Sequence, residues 1–286
     1  MLRRQAFGVA YRMLGSVADA EDVAQEVVLR LVRSSPGPAE PAAWVRTVAT
    51  RSSIDLLRRL KVRRAAYVGP WLPDPLLDLP DPTPGPQARA ELAESLSQAF
   101  LVLLEQLTPP ERAAFLLREV FGEDYAHIAA ILQRSEVSCR QLVSRARARV
   151  RADRPRFDPD PATGRELLER FLAATERGEL GELEELLVAD VVLYGDGGGA
   201  APSPLEPLRG VRQVAEFLRY ISSARRSVGP LDLQLGTVNG QPGRVLRTTD
   251  WTVWDVLTLD VQDGRVAAVR IIRNPDKTAH LDRVTR

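Results

Sequence analysis

Arg140, Gln141, Ser144 and Arg145 lie on neighbouring turns of one helical stretch, so their side chains can face a single groove together. Arg can pair with both acceptors of a guanine, Gln with the donor and acceptor of an adenine, and Ser with either base. Arg147, Arg149 and Arg151 extend the run and suit phosphate or solvent better than base edges. The elements that must present this group are legible just before it. Thr108 is a candidate N-cap, and Pro109-Pro110-Glu111 makes a good helix start. That helix should stop near Phe121-Gly122. A short helix over about 124–132, a brief turn at Gln133-Arg134 and a longer helix from Ser135 complete a helix-turn-helix layout.

Other chemistries find less support. With Cys139 as the one cysteine, neither an internal disulfide nor a cysteine metal cluster can form. Cys139 reads as a buried structural thiol and His127 as a helix-surface residue; with His280 the only other histidine, no metal site and no cofactor are expected. No apolar run approaches the roughly 20 residues that span a bilayer, and the segment from Met1 to Gln5 lacks the apolar stretch of a secretory signal. No membrane association is expected, and a cytoplasmic location fits best.

The net charge of +1 hides an asymmetry. Residues 1–66 and 107–157 are net basic, whereas 67–106 and 158–286 are net acidic. Two basic blocks in one chain suggest two nucleic-acid contacts. Lys61 and Lys277 are the only lysines, so the abundance of Arg reflects coding bias and is by itself weak evidence for phosphate binding. In the first block Ala20, Val23, Ala24, Val27, Val28 and Leu31 follow one helical face, with Asp19, Glu21 and Asp22 in the first turn. A Ser/Pro/Gly break at 34–41 precedes a second helix over about 42–60 that ends in a basic run. Prolines 70, 73, 75, 80, 82, 84 and 86 mark a stiff linker, yet Tyr67, Trp71, Leu72, Leu76 and Leu77 are too apolar for an idle spacer and should dock. Beyond a boundary near Phe157–Pro161, helices are expected at 163–177, 179–188 and 210–224. A Gly/Pro loop at 195–207 should separate the last two of these, and strands should follow at 231–238, 244–249, 251–261 and 265–272. Helices followed by antiparallel strands imply an α+β domain.

The stretch from Ala10 to Glu26, AYRMLGSVADAEDVAQE, closely resembles region 2 of extracytoplasmic-function sigma factors. The resemblance implies that Asp22, Gln25 and Glu26 belong to a surface that binds core RNA polymerase. It also implies that Trp44, Arg46, Arg51, Arg58 and Arg59 engage the −10 element of promoter DNA. Leu107–Phe115 and Ser135–Arg147 are similar to sigma region 4, which would assign Arg140, Gln141, Ser144 and Arg145 to the −35 element. Many members place Gly in the turn where this chain has Gln133-Arg134; a positive φ there costs a non-Gly residue about 1 kcal/mol.

Tyr67–Pro75, YVGPWLPDP, resembles a signature of the group of these factors called group 41, whose members carry a C-terminal SnoaL-like domain. Two further signatures follow in order, Asp196-Gly197-Gly198-Gly199 and Asn274-Pro275-Asp276-Lys277. The fold implied is multidomain: two all-α sigma modules, 1–66 and 89–156, a proline-rich linker at 67–88, and an α+β SnoaL-like (nuclear-transport-factor-2-like) domain at 158–286. Trp71, Leu72, Pro73, Asp74 and Pro75 are then expected to form an interdomain regulatory contact with the two later signatures, Trp71 serving as its large apolar anchor. Some SnoaL-like relatives are enzymes, and Asp196, Asp250, Asp255 and His280 are possible pocket groups here. No paired base and orienting residue is legible, so a non-enzymatic, self-regulated initiation factor is the leading reading. A SnoaL-type enzyme or a ligand-sensing regulator with an appended DNA-binding region stays open, as does an unidentified small ligand in the C-terminal domain.

Overall fold

The computed structural model describes residues 1–77, 95–152 and 161–282. The chain divides into two compact units: Met1–Ala66 with Gln98–Arg154, and Tyr67–Ser97 with Pro155–Arg286. The described connector residues, 67–77 and 95–97, therefore group with the C-terminal part of the chain. The prolines at 80–86 and most of the expected boundary at 157–161 lie outside the described residues.

The first unit is all-α among its described residues. Helices α1 (Leu2–Leu14), α2 (Val17–Arg33) and α3 (Pro41–Ala65) pack through Val9, Ala10, Leu14, Val23, Val27, Val45 and Ile54, all buried. Gly15 ends α1 in the left-handed conformation, φ 66°, and its N–H reaches the Tyr11 carbonyl at 2.7 Å. Ser16 then opens α2 by accepting from the Asp19 amide.

The same unit contains α4 (Gln98–Glu105), α5 (Pro109–Glu119), α6 (Tyr125–Leu132) and α7 (Glu136–Ala152). Glu111 reaches back to the Thr108 N–H at 3.1 Å and to its hydroxyl at 2.8 Å, fixing the start of α5. Ala114, Leu117, Ile128, Ile131, Cys139, Leu142 and Val143 form the core of the helix-turn-helix. Burial pushes the Cys139 thiol above its ordinary value, as suits a packed rather than a reactive cysteine.

The second unit is α+β. Helices α8 (Pro161–Arg177), α9 (Leu180–Leu186) and α10 (Val211–Arg226) accompany a six-stranded sheet. Its strands are β1 (Leu187–Asp196), β2 (Leu208–Arg209), β3 (Asp232–Val238), β4 (Gln241–Arg247), β5 (Val253–Gln262) and β6 (Arg265–Ile272), in the order β2-β1-β6-β5-β4-β3. Among the described residues, only β1 and β6 pair in parallel. Phe171, Leu183, Leu193, Leu218, Leu257, Leu259 and Val269 lie in the core cluster. Asn239-Gly240 and Asp263-Gly264 reverse the chain with positive φ at both residues, the type that matches strand twist. A short helix α11 (Pro275–Thr278) and a 3₁₀ turn (Ala279–Leu281) follow.

The sequence reading missed β1. Its register shifts between Leu187 and Val192, and Ala189 and Asp190 are exposed within the shift, so no clean alternation runs through the strand. Helix α9 ends at Leu186 and the strand begins at Leu187, so no turn residue separates them.

Gln133 does adopt the left-handed conformation, φ 53°, and is exposed. Gln133→Gly is expected to stabilise the first unit by about 1 kcal/mol. Urea unfolding of the full chain, followed by circular dichroism at a helix band, checks this; an unshifted first transition refutes it.

Candidate functional site

Asp22, Gln25 and Glu26 are all exposed on α2, opposite its buried face of Ala20, Val23, Ala24 and Val27. Glu26 pairs with Arg30 one turn on. Leu29 and Val32 continue the same stripe and are 47% and 78% exposed, so the surface is acidic at one end and apolar at the other. The sequence reading missed these two residues, although Leu29 lies four after Gln25 and Val32 three after Leu29, on the same helical face.

On α3, Arg59 is exposed, Arg58 pairs with Asp55 at 3.1 Å, and Trp44 is half-buried. Arg46 and Arg51 are engaged by the helix-turn-helix instead of standing free. Arg46 Nε meets Glu123 Oε1 at 2.6 Å. Arg51 donates to the carbonyls of Ile131 and Ala130, both at 2.9 Å. These carbonyls belong to the last turn of α6, where intrahelical partners run out and the helix dipole favours a cation. His127 Nδ1 lies 2.5 Å from Glu123, and Arg118 donates to the Glu123 carbonyl.

A second polar contact joins α1 and α3 to α4 and α5. Arg112, 3% exposed, donates to Glu105 at 2.6 Å and to the Met13 carbonyl at 2.7 Å, while Arg64 pairs with Glu105 and bonds the Leu14 carbonyl. Burial alone would raise the Glu105 carboxyl, but Arg112 and Arg64 outweigh it and hold the group below the usual carboxylate range.

On α7, Arg140, Gln141, Ser144 and Arg145 are exposed together, opposite the buried Cys139, Leu142, Val143 and Ala146. Arg140 pairs with Glu136 at 2.8 Å and lies 4.9 Å from the Tyr125 ring centre. Arg145 and Arg149 both reach Glu111, at 3.2 and 2.8 Å. Val137, 62% exposed, adds an apolar contact near the start of this helix.

In the second unit the connector closes over Asp196, which is fully buried at the end of β1. Its Oδ1 accepts from the Tyr67 hydroxyl at 2.5 Å, and its Oδ2 accepts from the Leu72 N–H at 2.8 Å and Lys277 Nζ at 2.7 Å. Asn274 Nδ2 donates to the Tyr67 oxygen at 2.8 Å, and Lys277 also donates to the Leu72 carbonyl. Lys277 Nζ lies 4.2 Å from the Trp71 ring centre and 4.9 Å from that of Tyr67. Burial, with Asp196 adjacent, pushes the Tyr67 phenol above its ordinary value, so it remains a donor. A side chain at Gly198 would run into Asn274 and Tyr67; one at Gly199 would press on Val68. Gly197 packs instead on Ala201 of its own loop.

The chain is 38% identical over 96% of its length, and 90% of the relative's, to the ECF RNA polymerase sigma factor SigJ of Mycobacterium tuberculosis. It is 28% identical over 93% of its length, and 89% of the relative's, to the probable ECF RNA polymerase sigma factor SigI of that species. Family models for Sigma-70 region 2 and Sigma-70, region 4 match residues 1–63 and 97–150. The chain belongs to the extracytoplasmic-function sigma factors. The crystal structure of the M. tuberculosis factor SigJ superposes with a TM-score of 0.74 at 34% identity, covering 97% of this chain and 96% of that one. The protein is therefore a sigma factor, whose family binds core RNA polymerase and directs initiation at promoters.

Within this sigma factor the signature residues divide. Tyr67, Leu72, Asp196, Asn274 and Lys277 share one hydrogen-bonded cluster, to which Trp71 adds its ring. Pro73, Asp74 and Pro75 are buried beyond it, and the Pro75 carbonyl lies 2.8 Å from His280 Nε2. Burial keeps His280 below its ordinary value, so the neutral ring donates this bond. Pro275 and Asp276 are exposed; the Asp276 N–H serves only to bond Asn274 Oδ1. Trp71 is half-buried, and Leu72, 1% exposed, is the deeper anchor. Tyr67 was expected only to dock, and its hydroxyl was not anticipated as a ligand of Asp196.

The four possible pocket groups do not converge. Asp196 and His280 hold the connector, Asp250 lies in the exposed β4–β5 turn bonded to Thr248, and Asp255 is buried against Arg244. Asp255 and Arg244 line a recess with Phe171, Leu218, Ile221 and Trp254. Among the described residues no helix is long and apolar enough to cross a membrane, and no cluster of His, Cys, Asp and Glu could hold a metal ion.

Removing the cation from a fully buried carboxylate strands its charge. Lys277→Met is expected to destabilise the second unit by about 3–5 kcal/mol, and Asp196→Asn added to it should recover much of that loss. Unfolding monitored by tryptophan fluorescence checks both; equal stability of the single and double variants would overturn the assignment.

Proposed function

We propose that the C-terminal domain regulates this sigma factor in cis by gripping the connector between its two DNA-binding modules. The observation that carries the reading is Asp196, which takes hydrogen bonds from Tyr67 and Leu72 of the connector and from Lys277 of the domain. A gripped connector limits how far the modules can separate, and promoter recognition requires both to reach their elements together. The contacts of Arg46 and Arg51 support the same reading. Both are candidate −10 ligands, and both are occupied by the region 4 module. Opening must free them before region 2 can use them on DNA.

In the open form Arg58, Arg59, Trp44, Arg46 and Arg51 engage the −10 element, and Arg140, Gln141, Ser144 and Arg145 read the −35 element. Val137 suits the methyl group of a thymine at the edge of that site. Asp22, Gln25 and Glu26, extended by Leu29 and Val32, form the docking face for core polymerase.

Asp22→Arg combined with Glu26→Arg should abolish capture of core polymerase while leaving circular dichroism unchanged, since both side chains are exposed. Normal capture by the folded double variant would remove this face from the interaction.

Leu72→Ala loosens the grip and keeps the domain in place. Run-off transcription with core polymerase should then rise several-fold, roughly the factor that about 1 kcal/mol of released restraint allows. Unchanged transcription by Leu72→Ala would overturn regulation through the connector.

A further inference from the structure

The connector is held at a second place, outside the three signatures, at the β3–β4 turn. Asn239 is 2% exposed. Its N–H donates to the Leu76 carbonyl at 2.8 Å, and its Oδ1 accepts from the Leu76 N–H at 2.9 Å. Its Nδ2 donates to the Leu96 carbonyl at 3.0 Å. Next to it, Leu77 forms an antiparallel bridge with Val238. One side chain thus holds both a residue early in the connector and a residue at its far end.

Turn chemistry alone does not demand this residue. Asn239 has φ 53° and precedes Gly240, a reversal that Asn, Asp and Gly all support. Asp would supply acceptors alone, and Gly would supply no side chain. Only a carboxamide presents an acceptor to Leu76 and a donor to Leu96 at once. The backbone groups it meets are buried, where an unmatched amide or carbonyl is costly.

We propose that Asn239 is a positioning residue for promoter recognition, a latch that ties the two ends of the connector together. The inference rests on the regulatory reading above and adds to it a mechanism for length. With Leu76 and Leu96 pinned to one side chain, the residues between them no longer contribute reach. The span available between region 2 and region 4 is then set by the short flanks of the latch. Releasing it returns the intervening residues to the connector and raises the spacing that the two modules can cover.

The test uses the full chain, core polymerase and a series of templates whose −35 to −10 spacing varies in single base pairs. Asn239→Gly keeps the turn and removes both side-chain bonds. The Leu76 amide should then exchange about tenfold faster, the factor implied by one lost hydrogen bond. Transcription from templates with longer spacing should rise about threefold relative to the best template as effective concentration at the longer reach increases. Asn239→Asp keeps the acceptor for Leu76 and faces the Leu96 carbonyl with an oxygen. Its Leu76 amide should stay protected while its spacing profile follows that of Asn239→Gly. A profile like that of the unaltered chain in both variants overturns the latch, as does unchanged Leu76 exchange in Asn239→Gly. Should Asn239→Gly fail to fold, Asn239→Asp decides alone through its spacing profile. Failure of the regulatory reading is separate: it shows as unchanged transcription in Leu72→Ala, while amide exchange still reports whether Asn239 holds the connector.

Discussion

A carboxylate with no exposed surface must be met by donors, because burying its charge unmatched costs several kcal/mol. Asp196 meets that demand with a phenol, a backbone amide and an ammonium, two of them from a segment more than 100 residues away in sequence. The remaining features of the connector's seat follow. Lys277 has to enter the site, so Asn274 starts the short helix that carries it. The aromatic faces of Tyr67 and Trp71 shelter its ammonium. The loop after Asp196 has to let Tyr67 and Val68 come close, so it is glycine at 198 and 199. Three signatures that look unrelated in sequence answer one electrostatic problem.

The helical unit is joined by polar groups of a similar kind. Arg46 and Arg51 on α3 meet Glu123 and the carbonyl end of α6, while Arg64 and Arg112 converge on Glu105. Contacts of this sort can be exchanged for others of equal chemistry. A guanidinium that bonds a helix-end carbonyl can bond a phosphate instead, at little net change in desolvation. An apolar seam between the modules would have to be torn open against the hydrophobic effect before DNA could be bound. Arginine at 46 and 51 suits a surface that must be covered in one state and used in another.

Much of this was legible in the sequence and some was not, for local reasons. The helix-turn-helix was clear because Thr108, Gly122 and Ser135 punctuate it, and the turn residues Asn239-Gly240 and Asp263-Gly264 marked both hairpins. Strand β1 was obscured by its bulge and by direct attachment to a helix. Asp196 and Lys277 stood out within short signatures, but their pairing depends on a parallel β1–β6 register that brings Asp196 beside Ile272. Leu72 was outranked by its larger neighbour Trp71, since size is visible in sequence and depth of burial is not. Asn239 was read correctly as a turn residue, and that sufficient explanation hid its side-chain bonds.

Charge placement sets the DNA-binding modules apart from the C-terminal domain. The sequence is basic in the modules that must meet DNA and acidic in the connector and the C-terminal domain. An acidic domain is repelled by promoter phosphates, so it gains nothing by following the modules onto DNA. Its hold on the connector must therefore come from specific groups rather than from bulk attraction. Asp196 with Lys277 provides one such hold and the carboxamide of Asn239 another, each buried and each geometrically exacting. Holds made this way are lost cooperatively once water enters, because every partner then exchanges its buried bond for a solvent one. That property suits a restraint which is either closed or released, with little stable ground between.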